Sequence, residues 1–556
     1  MSIKELWLEK GLLTAEQWEE ANALQAAQGV RLDRALVQLG FLSERQVLDL
    51  MGERLHLPVV SLADTIIDPE IRRLLPNRYV YGKRLVPIAR EDGTLMVATS
   101  DPFDLSVLDD LRLITGLHIK PLLALRDEIE KLIKTHYGVG GDTIDEMVGI
   151  GKAEEDRPLA QTSEDLLEMA QEASVIKLVN EIIIEAVRER ASDIHVEPYE
   201  HELSIRYRID GVLQPASVPP QIHQFQAAIL SRIKIMASLN IAERRIPQDG
   251  RINFHIGGRQ IDVRVSVIPM LHGEGIVMRI LDKTNVLYSL TELGMDGPTF
   301  SLFQHLIERP HGILLVTGPT GSGKTTTLYA ALNAIVGPEL KVLTVEDPVE
   351  YYLQGVNQIP VDPKVGMTFE RGLRAILRHD PDVVMIGEIR DLETAHAAIQ
   401  AALTGHLVFS TLHTNDSGSA PLRLADMGVE PYLVSSTLIG VMAQRLVRQI
   451  CPQCKQAYAP AKTAVPPDLV LAKGELLFKG EGCEACRLTG YRGRTGLYEL
   501  LAMNDTLAEK VIQRVSSQEL VRAARANGLR LLREDGWLKA RQGITTIEEV
   551  LKRTAI

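Results

Sequence analysis

Gly318-Pro-Thr-Gly-Ser-Gly-Lys-Thr325 lies between an apolar run, Ile313-Leu-Leu-Val316, and a segment of helical pattern, Thr326 to Ala334. The run reads as a buried strand, so the eight residues form a glycine-rich turn from strand to helix. Glycines at 318, 321 and 323 let backbone N–H groups turn inward around phosphate oxygens. Lys324 reaches the β- and γ-phosphates and Thr325 offers a hydroxyl to Mg²⁺. The helix start adds a dipole that favours an anion. The stretch therefore predicts an ATP site, and an α/β fold around it.

Acidic residues downstream suit that site. Val342-Leu-Thr-Val345 reads as a strand ending at Glu346-Asp347-Pro348. At the carboxyl end of a parallel strand a glutamate faces the ligand crevice. There it can orient and deprotonate an attacking water; a helix-capping Asp-Pro turn is the alternative. Val383-Val-Met-Ile386 is a second buried strand, followed by Gly387-Glu388, and Glu388 reads as the Mg²⁺-side carboxylate acting through water. Arg374 and Arg378 are four apart on a predicted helix, share a face, and either stabilise phosphate charge or form surface salt bridges. Asp193, His195 and Glu197 alternate along a strand, but one strand face gives no fourth ligand for a metal. His406 and His413 either sense the γ-phosphate or cap structure.

A chain of 556 residues exceeds one hydrophobic core, so about three or four domains are expected. The net charge of −12 argues against broad nucleic-acid binding, which needs a basic surface. No apolar run reaches the roughly 18–20 residues that span a bilayer, and the first residues lack a signal-peptide pattern. These features predict a cytoplasmic protein that meets membranes through partners. The four cysteines form two pairs, Cys451/Cys454 and Cys483/Cys486, each with Cys-x-x-Cys spacing. Paired knuckles predict one structural zinc ion with four thiolate ligands.

The pattern divides the chain into a helical module at 1–57, a small α/β module at 58–137 and a linker at 138–172. A second α/β domain follows at 173–290, then a P-loop domain at 291–502 with the zinc element at 446–496, and C-terminal helices at 503–556. Gly11-Leu-Leu-Thr-Ala-Glu-Gln and Gly40-Phe-Leu-Ser-Glu-Arg-Gln repeat in the first module, with Thr or Ser placed as at a helix start. Asp210-Gly211, Asp249-Gly250 and Gly257-Gly258 read as turns in the second domain.

Taken together, the phosphate loop, Glu346-Asp-Pro-Val-Glu350, Arg378-His-Asp-Pro-Asp-Val-Val-Met-Ile-Gly-Glu-Ile-Arg-Asp391 and Thr404-Gly-His-Leu-Val-Phe-Ser-Thr-Leu-His413 resemble the signature boxes of the secretion ATPase superfamily over about residues 173–500. The resemblance implies a RecA-like ATPase domain preceded by a smaller PAS-like domain. It implies nucleotide contacts from Gly318, Pro319, Thr320, Gly321, Ser322, Gly323, Lys324, Thr325, Thr326 and His413. Glu346 would be the general base and Glu388 the Mg²⁺-side carboxylate, and Arg264 and Arg279 of the second domain would complete the site. The implied particle is a homohexamer, peripheral on the inner membrane, working with platform and adaptor proteins to assemble pilin-like subunits. The zinc element and long N-terminal region resemble the type II secretion and pilus-extension branches, and Gly372-Leu-Arg-Ala-Ile-Leu-Arg378 is closer to the former. A nucleic-acid-translocating ATPase of the same superfamily is the more distant alternative. The N-terminal region also resembles a domain that binds cyclic diguanylate, through Arg31-Leu-Asp-Arg-Ala-Leu-Val-Gln-Leu-Gly40. Here Asp33 and Arg54 replace the motif's Gly and Gln, and an Asp beside a phosphate repels it.

Overall fold

The computed structural model describes residues 13–28, 31–138 except 64, 66, 73 and 76, 171–282 except 257, and 288–554 except 462–464, with isolated positions between 140 and 169. Most of the predicted linker, 138–172, lies outside the described residues. Two compact units divide the chain: one holds most of residues 1–280, the other residues 281–556 with 210–212 and 254–262.

The first unit begins with helices Ala15–Gln28, Leu32–Gln38 and Glu44–Leu55. The sequence repeat is a repeat of helix starts. Ser43 N–H donates to Gln46 Oε1 at 2.9 Å and Gln46 N–H returns to Ser43 Oγ; Thr14 and Gln17 make the same reciprocal pair. Such boxes satisfy backbone donors that a helix start leaves open. Trp18, Leu36 and Leu50 bury beneath them.

Next comes a three-stranded sheet in the order β1 (Val86–Glu91), β2 (Thr94–Thr99), β3 (His118–Leu123), with helices Leu105–Thr115 and Arg126–Tyr137. Leu57-Pro-Val-Val60 is not a strand: only Val59 makes a bridge, to Leu123. Pro58 offers no N–H for a longer ladder.

Helix Ala173–Arg188 buries Val175, Leu178, Val179, Ile182, Ile183 and Ala186, the face its spacing predicts. A six-stranded sheet follows: β4 (Asp193–Pro198), β5 (Leu203–Ile209), β6 (Val212–Pro215), β7 (Gln248–Ile256), β8 (Arg259–Met270) and β9 (Gly273–Asp282), in the order β6-β5-β4-β9-β8-β7. Asp210 and Gly211 have φ of 48° and 83° and form the tight turn between β5 and β6. Asp249-Gly250, in contrast, is no turn but lies inside β7. A Cβ on Gly250 would meet the Ala237 carbonyl oxygen at 2.5 Å, so this glycine serves close approach rather than reversal.

The second unit is built on a seven-stranded sheet. Its strands are β10 (Gly312–Thr317), β11 (Val342–Glu346), β12 (Val356–Pro360), β13 (Val383–Ile386), β14 (Leu407–Leu412), β15 (Leu438–Ile450) and, after a short β16 (Lys455–Tyr458) and β17 (Leu477–Gly480), β18 (Tyr491–Ala502). The order is β12-β11-β13-β14-β10-β15-β18. All neighbours run parallel except β15 and β18. Strands β10, β11, β13 and β14 are buried at every position, as both-face coverage by helices requires. The helices Asp505–Ile512 and Ser517–Ala526 place Leu507, Val511, Leu520 and Ala524 in the same apolar cluster as Val384, Val408 and Val441. Strands β15 and β18 form a long antiparallel hairpin, and the four cysteines lie between them.

Candidate functional site

The parallel strands β10, β11, β13 and β14 end on one side of the sheet, and the predicted residues follow those ends. Gly318, Gly321 and Gly323 have φ of 149°, 79° and 87°. Each lies in the left-handed region that glycine adopts without cost. A Cβ on Gly318 would meet the Gln444 carbonyl oxygen at 2.5 Å. Gly323 caps helix Lys324–Ile335, in which Thr325 and Thr326 occupy the first turn. Ser322 Oγ is buried and has no hydrogen-bond partner among the described residues. An orphaned hydroxyl inside a glycine-lined turn at a helix start fits phosphate oxygens as its partner. Lys324 Nζ donates to the carbonyls of Gly318 (2.9 Å) and Pro319 (3.2 Å), folded over its own loop. Burial lowers its pKa, opposed by the charge of Glu388 and helped by that of Arg445.

Glu346 ends β11 and is 3% exposed. Its carboxylate accepts from Thr344 Oγ1 at 2.5 Å, from Gln358 Nε2 at 3.1 Å and from the Tyr329 hydroxyl. Burial raises its pKa above the ordinary glutamate value; the three donors pull the other way without cancelling it. Asp347-Pro348 forms a bend with no helix after it, so the capping alternative falls. Glu388 follows β13 and pairs with Arg390 and, at 3.2 Å, with His413 Nε2. Burial pushes its pKa up, but Arg390 and His413 outweigh it and hold the carboxylate below its ordinary value. A buried acid shifted up and a paired acid shifted down, at the ends of neighbouring strands, separate a proton acceptor from a fixed negative charge.

The two histidines part company. His406 Nδ1 lies 2.8 Å from the Ala401 carbonyl and 3.0 Å from Thr404 Oγ1, so it finishes helix Leu392–Leu403. His413 leaves the end of β14 and reaches Glu388.

Arg374 and Arg378 do not share a helix face. The helix ends at Ile376, so Arg378 sits in the following turn, donating to the Arg374 carbonyl at 2.7 Å. Arg374 pairs with Glu370 at 2.6 Å, and both arginines are exposed. Arg264 (β8) and Arg279 (β9) belong to the first unit. Arg279 pairs with Asp193 at 3.1 Å, and Arg208 stands 3.5 Å from the other oxygen of Asp193. Glu197 pairs with Arg206. Asp193 and Glu197 thus serve ion pairs across β-strands, and His195 lies 3.8 Å from Glu197 on its own strand.

The sequence reading passed over Tyr329, Thr344 and Gln358, which hold Glu346, and Gln444, whose Oε1 accepts from Thr327 Oγ1 at 2.8 Å. None carries charge, and Gln358 and Gln444 are tied to the site by the fold rather than by nearness in sequence.

Cys451, Cys454, Cys483 and Cys486 converge, with all four sulfurs within 4.8 Å of one another. Three of the separations are 3.7, 3.8 and 3.7 Å. Zn–S bonds of about 2.3 Å in a tetrahedron place sulfurs about 3.8 Å apart, whereas a disulfide needs about 2.05 Å. The N–H groups of Cys483 (3.1 Å) and Gly490 (3.2 Å) donate to Cys486 Sγ, as suits a thiolate. The donor set fits zinc. Purified protein is expected to hold about one zinc per chain, with thiol-blocking reagents releasing it and lowering the melting temperature. Metal-free protein that melts unchanged would exclude a structural ion.

Residues 168–552 match the family described as Type II/IV secretion system protein, and residues 55–143 match the MshEN domain. The type II secretion system protein E of Xanthomonas campestris pv. campestris is 46% identical over 560 residues, covering 99% of this chain and 98% of that one. The type IV pilus assembly ATPase PilB of Myxococcus xanthus is 42% identical over 563 residues, covering 100% and 99%. Among solved structures, the Legionella pneumophila ATPase DotB shares the fold, with a TM-score of 0.51 at 21% identity over 67% of this chain and 93% of that one. With its phosphate loop, its two strand-end glutamates and this match over most of its length, the chain belongs to the Type II/IV secretion system protein family and is a secretion ATPase.

Proposed function

We propose that the chain hydrolyses MgATP as a six-membered ring and that the work drives pseudopilus assembly in a type II secretion machine. The observation that carries the hydrolysis reading is the strand-end pair: Glu346, buried and raised in pKa, and Glu388, paired and lowered, follow the adjacent strands β11 and β13, at the same end of the sheet as the phosphate loop after β10. Mg²⁺, when bound with ATP, neutralises phosphate charge; Thr325 and Glu388 are the residues to hold it. Lys324 binds phosphate as a compact charge. Glu346 accepts a proton from water, and His413 reads the γ-phosphate from the far side of Glu388. Arg374 and Arg378, exposed on the surface, serve phosphate only across a boundary between copies.

Similarity over the whole length to a type II protein E supports the secretion branch. A PilB of equal coverage favours pilus extension as the second reading. The two separate in the native host. Lys324→Ala at the chromosomal locus should abolish export of secreted enzymes and leave surface pili intact; loss of pili with normal export would assign the pilus branch instead.

No described helix is long and apolar enough to cross a membrane, which supports docking on an inner-membrane platform or adaptor protein through the N-terminal region. Protein lacking residues 1–160 should still hydrolyse ATP yet no longer sediment with membranes that carry the partner. Unchanged sedimentation would count against the docking role. The N-terminal module also weighs against dependence on cyclic diguanylate. Asp33 holds Arg31 through two bonds of 3.1 Å, Asp101 holds it at 2.6 Å, and Phe103 lies 4.5 Å from the guanidinium. A dinucleotide seeking Arg31 would have to displace two carboxylates.

A further inference from the structure

The segment from His413 to Ser417 has an unusual anchorage. It contains no regular element, yet nearly every residue is tied to a different strand. His413 meets Glu388 after β13. Thr414 N–H donates to Thr317 Oγ1 of β10 at 2.8 Å, and the two threonine hydroxyls lie 2.8 Å apart. Arg445 of β15 donates through one terminal nitrogen to the Asn415 carbonyl at 2.9 Å and to Asn415 Oδ1 at 3.3 Å, and through the other to the Gln444 carbonyl at 3.0 Å. Glu499 of β18 accepts from Ser417 N–H at 2.8 Å and from Ser417 Oγ at 2.6 Å, both on Oε1. Its other oxygen accepts from Leu532 N–H at 3.2 Å, at the start of helix Leu532–Arg541.

Among the described residues neither charge has a close ion-pair partner, although Arg445 feels the charge of Glu499 at longer range. Arg445 is half-buried, and the carboxylates that act on it, Glu499 and Asp416, do so without a close salt bridge. It packs instead against the phosphate loop, where a Cβ on Gly318 would stand 3.1 Å from its guanidinium nitrogen. Glu499 is 3% exposed and faces only neutral donors. Burying two charges whose hydrogen-bond partners are neutral costs stability, and fixing the geometry of an irregular segment is a return for that cost. Hydrogen bonds to charged groups are about twice as strong as neutral ones, so they suit a loop that must not drift.

We infer that Arg445 and Glu499 are positioning residues for ATP hydrolysis, which hold the His413–Ser417 segment so that His413 meets Glu388 and the γ-phosphate. The inference rests on the ATPase reading and adds a role for the β15–β18 hairpin: its middle reaches the nucleotide site from the side of the sheet away from Glu346. A displacement of about 1 Å in such a segment costs up to 10²-fold in rate.

The test uses the full chain with Arg445→Gln and Glu499→Gln, each alone and each combined with His413→Ala, under saturating MgATP. Each single variant should lower kcat on the order of 10- to 100-fold and leave KM for MgATP within about threefold, since the phosphate loop itself stays intact. In the His413→Ala background the same substitutions should lower kcat by less than about twofold more, because their effect passes through His413. Ser417→Ala removes a single donor to Glu499 and should show the same pattern more weakly, so a poorly folding Glu499 variant leaves the test in force. Native kcat in the Arg445 and Ser417 variants would overturn the inference. So would losses that multiply fully in both backgrounds, or a His413→Ala enzyme as fast as the native one. Native protein that hydrolyses no ATP would strike the ATPase reading itself.

Discussion

Glu346→Gln should bind ATP and fail to hydrolyse it, with turnover reduced on the order of 10²- to 10⁴-fold. The argument starts from burial. The side chain ends a fully buried strand, and water cannot stabilise its charge there. Burial therefore raises its pKa, while Thr344, Gln358 and Tyr329 keep it oriented and partly offset the rise. Tyr329 is itself buried and pushed well above the ordinary tyrosine value, so it stays a donor at every working pH. A base must be ionised to accept a proton. The acid side of the kcat/KM profile should then fall as pH drops through a value above the ordinary glutamate range. Gln keeps the shape and one acceptor but takes no proton, so both the rate and that acid limb should vanish together. Tyr329→Phe removes one donor and should shift the limb further upward without abolishing turnover. A Glu346→Gln enzyme with native turnover would remove Glu346 from the chemistry.

What was legible in the sequence is what depends on local pattern. The strand–loop–helix at 312–335, the strands ending at Glu346 and Ile386, and the helix at 173–188 all follow from apolar runs bounded by glycine or acidic residues. Paired Cys-x-x-Cys knuckles announced a cluster whose sulfurs the fold does bring together. Local pattern misled where one residue type serves two purposes. Asp249-Gly250 has turn chemistry, but Gly250 is needed for contact with Ala237 inside a strand. Arg374 and Arg378 have helical spacing, but the helix stops between them. Polar residues that hold others escaped notice for a different reason. Gln358, Tyr329 and Glu499 lie 12, 17 and 82 residues from the groups they bond. Nothing in periodicity or composition marks a residue whose partner is defined only by sheet order, and β18 enters this sheet after the whole cysteine element has intervened.

Arg264→Ala and Arg279→Ala should keep the fold and most nucleotide affinity, yet lose about 10³- to 10⁵-fold in turnover, the worth of a cation delivered to developing phosphate charge. Both residues stand on strands of the first unit, whereas the phosphate loop belongs to the second. The competing account is local: Arg279 exists to neutralise the buried Asp193, to which it donates at 3.1 Å. Two features favour the catalytic account. Arg208 stands 3.5 Å from the opposite oxygen of Asp193 and remains there when Arg279 is gone. The Arg279 side chain is 58% exposed, so most of its surface is open to a further partner. The accounts differ in what is lost. A local role predicts a lower melting temperature and native turnover at permissive temperature. A role at ATP predicts native melting and little turnover. Ring assembly adds a second signature. If the arginines act on ATP only in the assembled particle, specific activity of the native protein should climb with concentration and level off once rings are complete. Adding Lys324→Ala chains, which still supply both arginines, should then change the rate of native chains at fixed native concentration. Native turnover in both arginine variants, together with activity per chain that is flat across a wide concentration range, would sink the proposal.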